Sequence, residues 1–242
     1  GQNFPAKPFD DEPHRLVQAL HHAAVLNDSI AQPGVAGSFG WCMTDYNTHR
    51  DFGSGDRICY HGVLDMFRNQ KLSAAVYASQ KTPRAPSDIV LEVSSAMALG
   101  DLPGGAAAAC WVFTNAERVR LYRGNDFVAE FGPDRRGRFA ALPHPPIEIN
   151  DFVGSLLEKY EGMDHATGAQ VAAILNELRR DAMVLSPLSK ARMLSLRLSW
   201  NELMRMYYKY IGVLGSPAPV YRFEAVWHGR AVRTVVREPV QS

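Results

Sequence analysis

Cysteine is scarce: Cys42, Cys59 and Cys110 are the three in 242 residues. That is too few for a complete set of internal disulfides, although one pair remains possible and the redox compartment stays open. An excess of one charge is missing too, since 26 lysines and arginines face 25 acidic residues. No field gathers a polyanion, and nucleic acid is not an expected partner. The longest apolar stretch, around Ala106 to Phe113, falls far short of the roughly 20 residues of a membrane helix, so no membrane is expected either. The opening Gly1-Gln2-Asn3-Phe4-Pro5 has no basic region followed by an apolar core and reads as the middle of a protein rather than a signal peptide. It leaves localisation unknown. What is present is ordinary folding material, 46% hydrophobic and 21% charged, at a length that favours two domains over one.

Asp10-Asp11-Glu12-Pro13 places a capping carboxylate, first-turn acids and a proline ahead of a periodic segment, and Leu16, Leu20 and Ala24 continue one apolar face. This predicts a helix over about 11–27. Val35 to Met43 is small and apolar without clean alternation, which predicts a strand covered on both faces. A polar and aromatic loop, Thr44 to Arg57, follows it; ordering so long a loop costs entropy that function would repay. Tyr60 to Asp65 reads as a turn or short strand, and Leu72 to Gln80 as a helix.

Lys81-Thr82-Pro83-Arg84-Ala85-Pro86-Ser87 reads as a linker. Beyond it, Ile89–Val93 and Ala108–Phe113 read as strands, and Glu117–Arg123, Gly124-Asn125 and Asp126–Phe131 as a hairpin wet on one face. The period then changes. Val171, Ile174, Leu175 and Leu178 share a helical face over about 166–183, a second tract covers 189–198, and Ser199-Trp200-Asn201-Glu202 offers a capping box for a third that reaches Ile211, with Gly212 and Gly215 as stops. Val220–Trp227, a turn at His228-Gly229-Arg230 and Ala231–Val236 restore the two-residue period. A terminal hairpin needs a sheet to join, so the helices read as an insertion.

Several groups carry chemistry in principle. Cys42, His49, Cys59 and His61 are soft ligands, but their gaps match no zinc signature, so no metal is expected and no cofactor either. Cys59 with His61 or His49 lacks an identifiable orienter for thiolate chemistry. Gly53-Ser54-Gly55-Asp56 has no Walker lysine and reads as a turn. His21 and His22 face different directions, one packed and one wet. Arg135, Arg136 and Arg138 read as a solvated hairpin tip, and Leu203, Met206, Tyr207 and Tyr210 as packing. Trp41, Asp45, Asn47, His49, Asp51, Asp56, Arg57 and His61 differ as a set: an aromatic face suits the apolar face of a sugar, carboxylates and amides suit its hydroxyls, and all leave one strand end together.

The run from Gly40-Trp41-Cys42-Met43-Thr44-Asp45-Tyr46-Asn47 through His61-Gly62-Val63-Leu64-Asp65-Met66-Phe67-Arg68-Asn69 resembles the last barrel strand and following loop of bacterial β-galactosidases of glycoside hydrolase family 2. Gln70 to Gln80 resembles that family's exit from the barrel. Phe152-Val153-Gly154, Lys209-Tyr210-Ile211-Gly212 and Tyr221-Arg222-Phe223-Glu224-Ala225 are similar to its later regions. The resemblance implies a mixed α/β fold class: a remnant of a (β/α)8 TIM barrel followed by an immunoglobulin-like β-sandwich with a helical insertion. Residues 1–82 would be the last β/α segment with its active-site loop, and 83–242 the accessory sandwich, its insertion at about 155–212.

Catalysis in that family is retaining, with two glutamates about 5 Å apart, and by analogy both lie upstream of Gly1. The resemblance therefore implies no catalytic residue here. It implies the C-terminal portion of a retaining exo-β-glycosidase of the β-galactosidase kind, inactive alone, closing the barrel and lining the sugar subsite. Trp41, Asp45, Asn47, His49 and Asp51 would contact the sugar, and Asp56, Arg57 and His61 would structure the loop. The implied partners are a β-galactoside or related oligosaccharide, and the missing N-terminal part of the enzyme or another copy of the chain. The alternative is a non-catalytic carbohydrate-binding or structural β-sandwich module.

Overall fold

The computed structural model describes residues 4–49, 55–97, 110–181, 183–212 and 219–238. They form a mixed α/β fold with several sheets and helices. Contacts group the chain into two compact units that interleave in sequence: Gly1–Ser94, Trp111–Glu117 and Gly132–Ile147 in the first, Ser95–Cys110, Arg118–Phe131 and Glu148–Ser242 in the second.

The first unit is built on α1 (Glu12–Ala31), whose Asp11 cap accepts the His14 amide at 2.9 Å. The helix runs four residues past the expected Asn27, and stops where Pro33 pushes Gln32 out of the helical region. Its buried Leu16, Ala19 and Ala23 pack with Ala75 and Val76 of α2 (Leu72–Ala78) and with Phe113, Phe139 and Leu142. Each large side chain buried this way contributes roughly 1.5–3 kcal/mol. His22 is buried while His21 is exposed; burial lowers the His22 imidazole to about 4, and its Nδ1 lies 2.8 Å from the Tyr77 hydroxyl.

Val35 to Met43 does not form the expected two-sided strand. Val35, Phe39, Trp41 and Met43 are exposed, and the backbone pairing seen for this segment among the described residues comes from the stretch 61–64. It meets only the end, through Cys42 N to His61 O, Val63 N to Cys42 O and Leu64 N to Met43 O, with one parallel bridge between Thr44 and Leu64. The described residues form no closed barrel. The long loop contains a short antiparallel pair, β1 (Tyr46–Asn47) and β2 (Ile58–Cys59), with Tyr46 opposite Cys59.

The proline-marked stretch expected as a linker is tied down. Pro86–Asp88 forms a 3-10 turn, and the buried side chain of Asn115 serves both flanks. Its Nδ2 donates to Lys81 O at 2.9 Å and Asp88 O at 3.1 Å, while its Oδ1 accepts Val90 N at 2.8 Å. β3 (Leu91–Val93) pairs antiparallel with β4 (Cys110–Thr114). Residues 108 and 109 of the expected strand lie outside the described residues. β7 (Ile147–Ile149), where the chain passes from the first unit into the second, completes the order β3–β4–β7.

The second unit holds an antiparallel sheet of β5 (Arg118–Arg123), β6 (Asp126–Phe131), β8 (Tyr221–Trp227) and β9 (Arg230–Arg237), in the order β6–β5–β8–β9. Both expected hairpins form. Trp227 sits opposite Arg230, so the second turn is the two residues His228-Gly229, at φ of 50° and 75°, the positive pair that matches strand twist. Among the described residues four helices separate β7 from β8: α3 (Leu156–Glu161), α4 (His165–Arg180), α5 (Pro187–Ser195) and α6 (Trp200–Tyr210). Val171, Ile174, Leu175 and Leu178 are buried as their period requires. The Ser199 and Glu202 capping box is formed at α6. Phe152 meets Tyr221 edge-on at 6.1 Å, and the Arg179 guanidinium lies 4.3 Å from the Phe152 ring.

Candidate functional site

The loop that begins at Trp41 stands on a buried ion pair. Lys71 Nζ lies 2.7 Å from both oxygens of Asp45. It also donates to Ala6 O at 2.8 Å and to Tyr60 O at 3.3 Å. Burial pushes the Asp45 carboxyl up and the Lys71 ammonium down, while their mutual hydrogen bond and attraction oppose both shifts. Asp45 Oδ1 further accepts Gly62 N at 2.8 Å. A Cβ on Gly62 would sit 2.3 Å from Asp45 N and 2.4 Å from the Thr44 carbonyl carbon. Only glycine lets these strands of backbone approach so closely.

Around this base the loop is knitted by Asp56. The Tyr60 hydroxyl donates to Asp56 Oδ2 at 2.6 Å; burial, with Asp56 adding to it, pushes that phenol up to about 12. Ile58 N reaches Asp56 Oδ1 at 3.3 Å, and Lys7 Nζ lies 3.4 Å from Oδ2. Arg57 takes a positive φ of 62°. His61 is half-buried, its Nδ1 2.8 Å from Cys59 Sγ.

What the loop presents outward is aromatic and polar. Trp41 is 66% exposed, its Nε1 donates to the Tyr46 hydroxyl at 3.4 Å, and the two rings stand edge-on at 84° with centroids 6.4 Å apart. The Trp41–Cys42 peptide is cis. Asn47 and His49 are exposed on the same hairpin arm. The structure thus leaves Trp41, Asn47 and His49 at the surface and buries Asp45; Asp51 lies outside the described residues. Sequence reasoning missed Lys71, Gly62 and Tyr46. Lys71 stands 26 residues from Asp45 in sequence, and no periodicity links a lysine at a helix start to a loop aspartate so far away.

The expectation that this chain lines the sugar subsite of a retaining exo-β-glycosidase is corrected here. Among the described residues no three or more His, Cys, Asp or Glu side chains converge on a point that could hold a metal, and no arrangement of catalytic residues typical of an active glycosidase is present. Among the described residues, acids of this region are engaged within the fold. Asp45 serves Lys71 and Gly62, and Asp65 accepts the amides of Phe67 and Asn69, each at 2.8 Å. These hydrogen bonds, Asn69 foremost, hold the Asp65 carboxyl below the usual range.

The fold and loop define a mixed α/β protein homologous, over 62% of its length, to sequences of the β-galactosidase kind. It is 39% identical over 150 residues to a β-galactosidase of Thermoanaerobacterium thermosulfurigenes, covering 62% of this chain and 21% of that protein. The β-galactosidase of Thermoanaerobacter pseudethanolicus is also 39% identical over 150 residues, 62% of this chain and 20% of the relative. That of Rhizobium meliloti is 34% identical over 151 residues, again 62% and 20%. The chain spans about a fifth of the length of the curated relatives it matches. Among solved structures, an FMN-binding β-glucuronidase from Facaelibacterium prausnitzii L2-6 aligns with a TM-score of 0.43 at 18% identity, covering 62% of this chain and 21% of that one. No protein-family model matches the chain.

Proposed function

We propose that the chain is a non-catalytic module that binds carbohydrate of the β-galactoside class, with the Trp41 loop as its binding surface. The observation that carries this reading is the exposed indole of Trp41, steadied by Tyr46 on a loop anchored by the Asp45–Lys71 pair. A flat aromatic face fixed in water suits the C–H face of a sugar. Asn47 and His49, exposed further along the same loop, offer an amide and an imidazole as hydrogen-bonding groups. The sugar class comes from the names of the curated relatives. On the same homology we read residues 1–82 as descended from the last β/α segment of a TIM barrel. Residues 83–242 read as descended from an immunoglobulin-like sandwich with an insertion at about 155–212; the four helices between β7 and β8 support this.

Titration of the full chain with methyl β-galactoside, followed by the indole N–H signals in 15N-resolved NMR, tests the reading. The Trp41 signal should shift saturably, and Trp41→Ala should weaken binding about tenfold, the scale of a lost aromatic contact. A folded wild-type chain whose Trp41 signal ignores the sugar would leave only the structural-module reading. No hydrolysis of a nitrophenyl β-galactoside is expected from this chain.

A further inference from the structure

Within the second unit, an open hollow of about 460 Å³ lies where the β5–β6 turn meets α3, the end of α6 and the start of β8. That size falls in the roughly 300–1,000 Å³ range of small-molecule sites. Leu156 and Tyr210 close its base and are almost fully buried, while Tyr160, Pro219 and Val220 leave carbon accessible around them. Arg123, Asp126 and Lys209 bring charge to the same hollow.

The arrangement of these charges restricts what the hollow can hold. Arg123 and Asp126 stand opposite each other across the hairpin turn, which puts their side chains on one face of the sheet. Asp126 takes Lys159 on one oxygen and the Tyr160 hydroxyl on the other; these bonds, Lys159 foremost, hold its carboxyl below the usual carboxylate range. An ionised carboxylate accepts about four hydrogen bonds, and this side chain is 23% exposed, so it can accept more. The Arg123 Nη1 donates to Lys209 O at 3.1 Å, one use of a guanidinium that carries five N–H donors. Lys209 Nζ is held by Glu161 at 2.7 Å. A simple anion entering here would meet Asp126, and a simple cation would meet Arg123. A neutral molecule with adjacent hydroxyls avoids both conflicts, because one hydroxyl accepts from the guanidinium while the next donates to the carboxylate. Sugars have such hydroxyls, together with C–H faces suited to the carbon of Pro219 and Val220. Lys159 and Lys209 lie 5.0 and 5.7 Å from the centroid of the Tyr160 ring, so that ring serves as a braced wall rather than as a stacking face.

We propose that this hollow is a site for a small neutral saccharide, separate from the Trp41 loop, in which adjacent ring hydroxyls pair with Arg123 and Asp126 while a C–H face covers Pro219 and Val220. The proposal rests on the residues of the second unit and not on the reading of Trp41.

The test follows the Arg123 Nε–Hε signal of the full chain in 15N-resolved NMR, titrated separately with lactose, maltose and cellobiose. Open-chain sorbitol and sodium acetate serve as controls. Saturable movement with at least one disaccharide and not with either control is the expected result, and it should persist in Trp41→Ala. Arg123→Met should weaken that disaccharide about tenfold or more, as loss of a hydrogen bond to a charged group requires, read from the tyrosine ring signals of a chain carrying 13C-labelled tyrosine. An Arg123 signal that ignores all three disaccharides in the folded wild-type chain, or moves as much with sorbitol or acetate, overturns the proposal. Because the first readout is wild-type Arg123 itself, the answer stands even if a variant fails to fold. The Trp41 indole signal, recorded in the same titrations, separates the two sites: its movement alone would keep the Trp41 reading and sink this one, and movement of Arg123 alone would do the reverse.

Discussion

Truncating Asp45 to alanine would leave the Lys71 ammonium buried with only two carbonyl oxygens to receive it. Breaking a buried pair from one side costs more than the pair itself contributes, on the order of 3–5 kcal/mol. Asp45→Ala should therefore lower unfolding free energy in urea by about that amount. Removing both charges, Asp45→Ala with Lys71→Met, should cost clearly less than the sum of the single changes. Additive losses would show that the two charges do not depend on each other. At this scale the sequence was only partly legible. The eight loop residues stood out because their types suit a sugar, yet the same types also build loops from within. Asp45 is such a case, since its use became visible only when Lys71 and Gly62 were brought beside it. Tyr46, which steadies Trp41, lay in plain view and carried no signal beyond being aromatic.

Among the elements, the end of α3 is joined to α6 through Glu161. Its carboxylate accepts from Arg205 at 2.8 Å, Lys209 at 2.7 Å and the Tyr210 hydroxyl at 2.7 Å. These bonds, Arg205 first, lower its pKa to about 2 from 4.5. The sign follows directly: the folded state holds the carboxylate more strongly than the unfolded chain does. The stability so contributed is complete above about pH 4.5 and is lost as pH falls toward 2. Its upper bound is on the order of 3 kcal/mol, reduced because Arg205 and Lys209 are about half exposed and water screens them. Glu161→Gln should flatten the stability profile between about pH 4.5 and 2, measured by denaturant unfolding across that range, and change little of its shape above pH 5. An unchanged acid limb would assign it to other carboxylates. Helices and hairpins were the legible part of the sequence because their signals are local: the Asp11 cap, the Ser199 box and the His228-Gly229 turn each act within a few residues. The segment from Val35 to Met43 was misread for the opposite reason. Its apolar composition describes a strand covered on both faces, and cover is a property of the fold, not of nine residues.

For the molecule as a whole, the first unit draws its core from three separated stretches. Leu16, Ala19, Ala23, Ala75 and Val76 pack with Phe113, Phe139 and Leu142, which belong to residues 111–117 and 132–147. A chain ending at residue 94 lacks those three large side chains and the amide of Asn115. It should show no cooperative thermal transition by circular dichroism and should bind a hydrophobic dye. A sharp transition in that fragment would show that α1 and α2 form a sufficient core by themselves. Nothing local announces this interleaving: the prolines from Pro83 to Pro86 have the composition of a connector, and the contacts that fix them come from some thirty residues further on. Such a layout also has a history in time. On a ribosome, α1 and α2 emerge well before Leu142, and at about 5–20 residues per second their greasy faces wait several seconds for cover. The nascent chain is therefore most exposed to aggregation in the interval before residue 142 appears, and it is in that window that a chaperone would matter most.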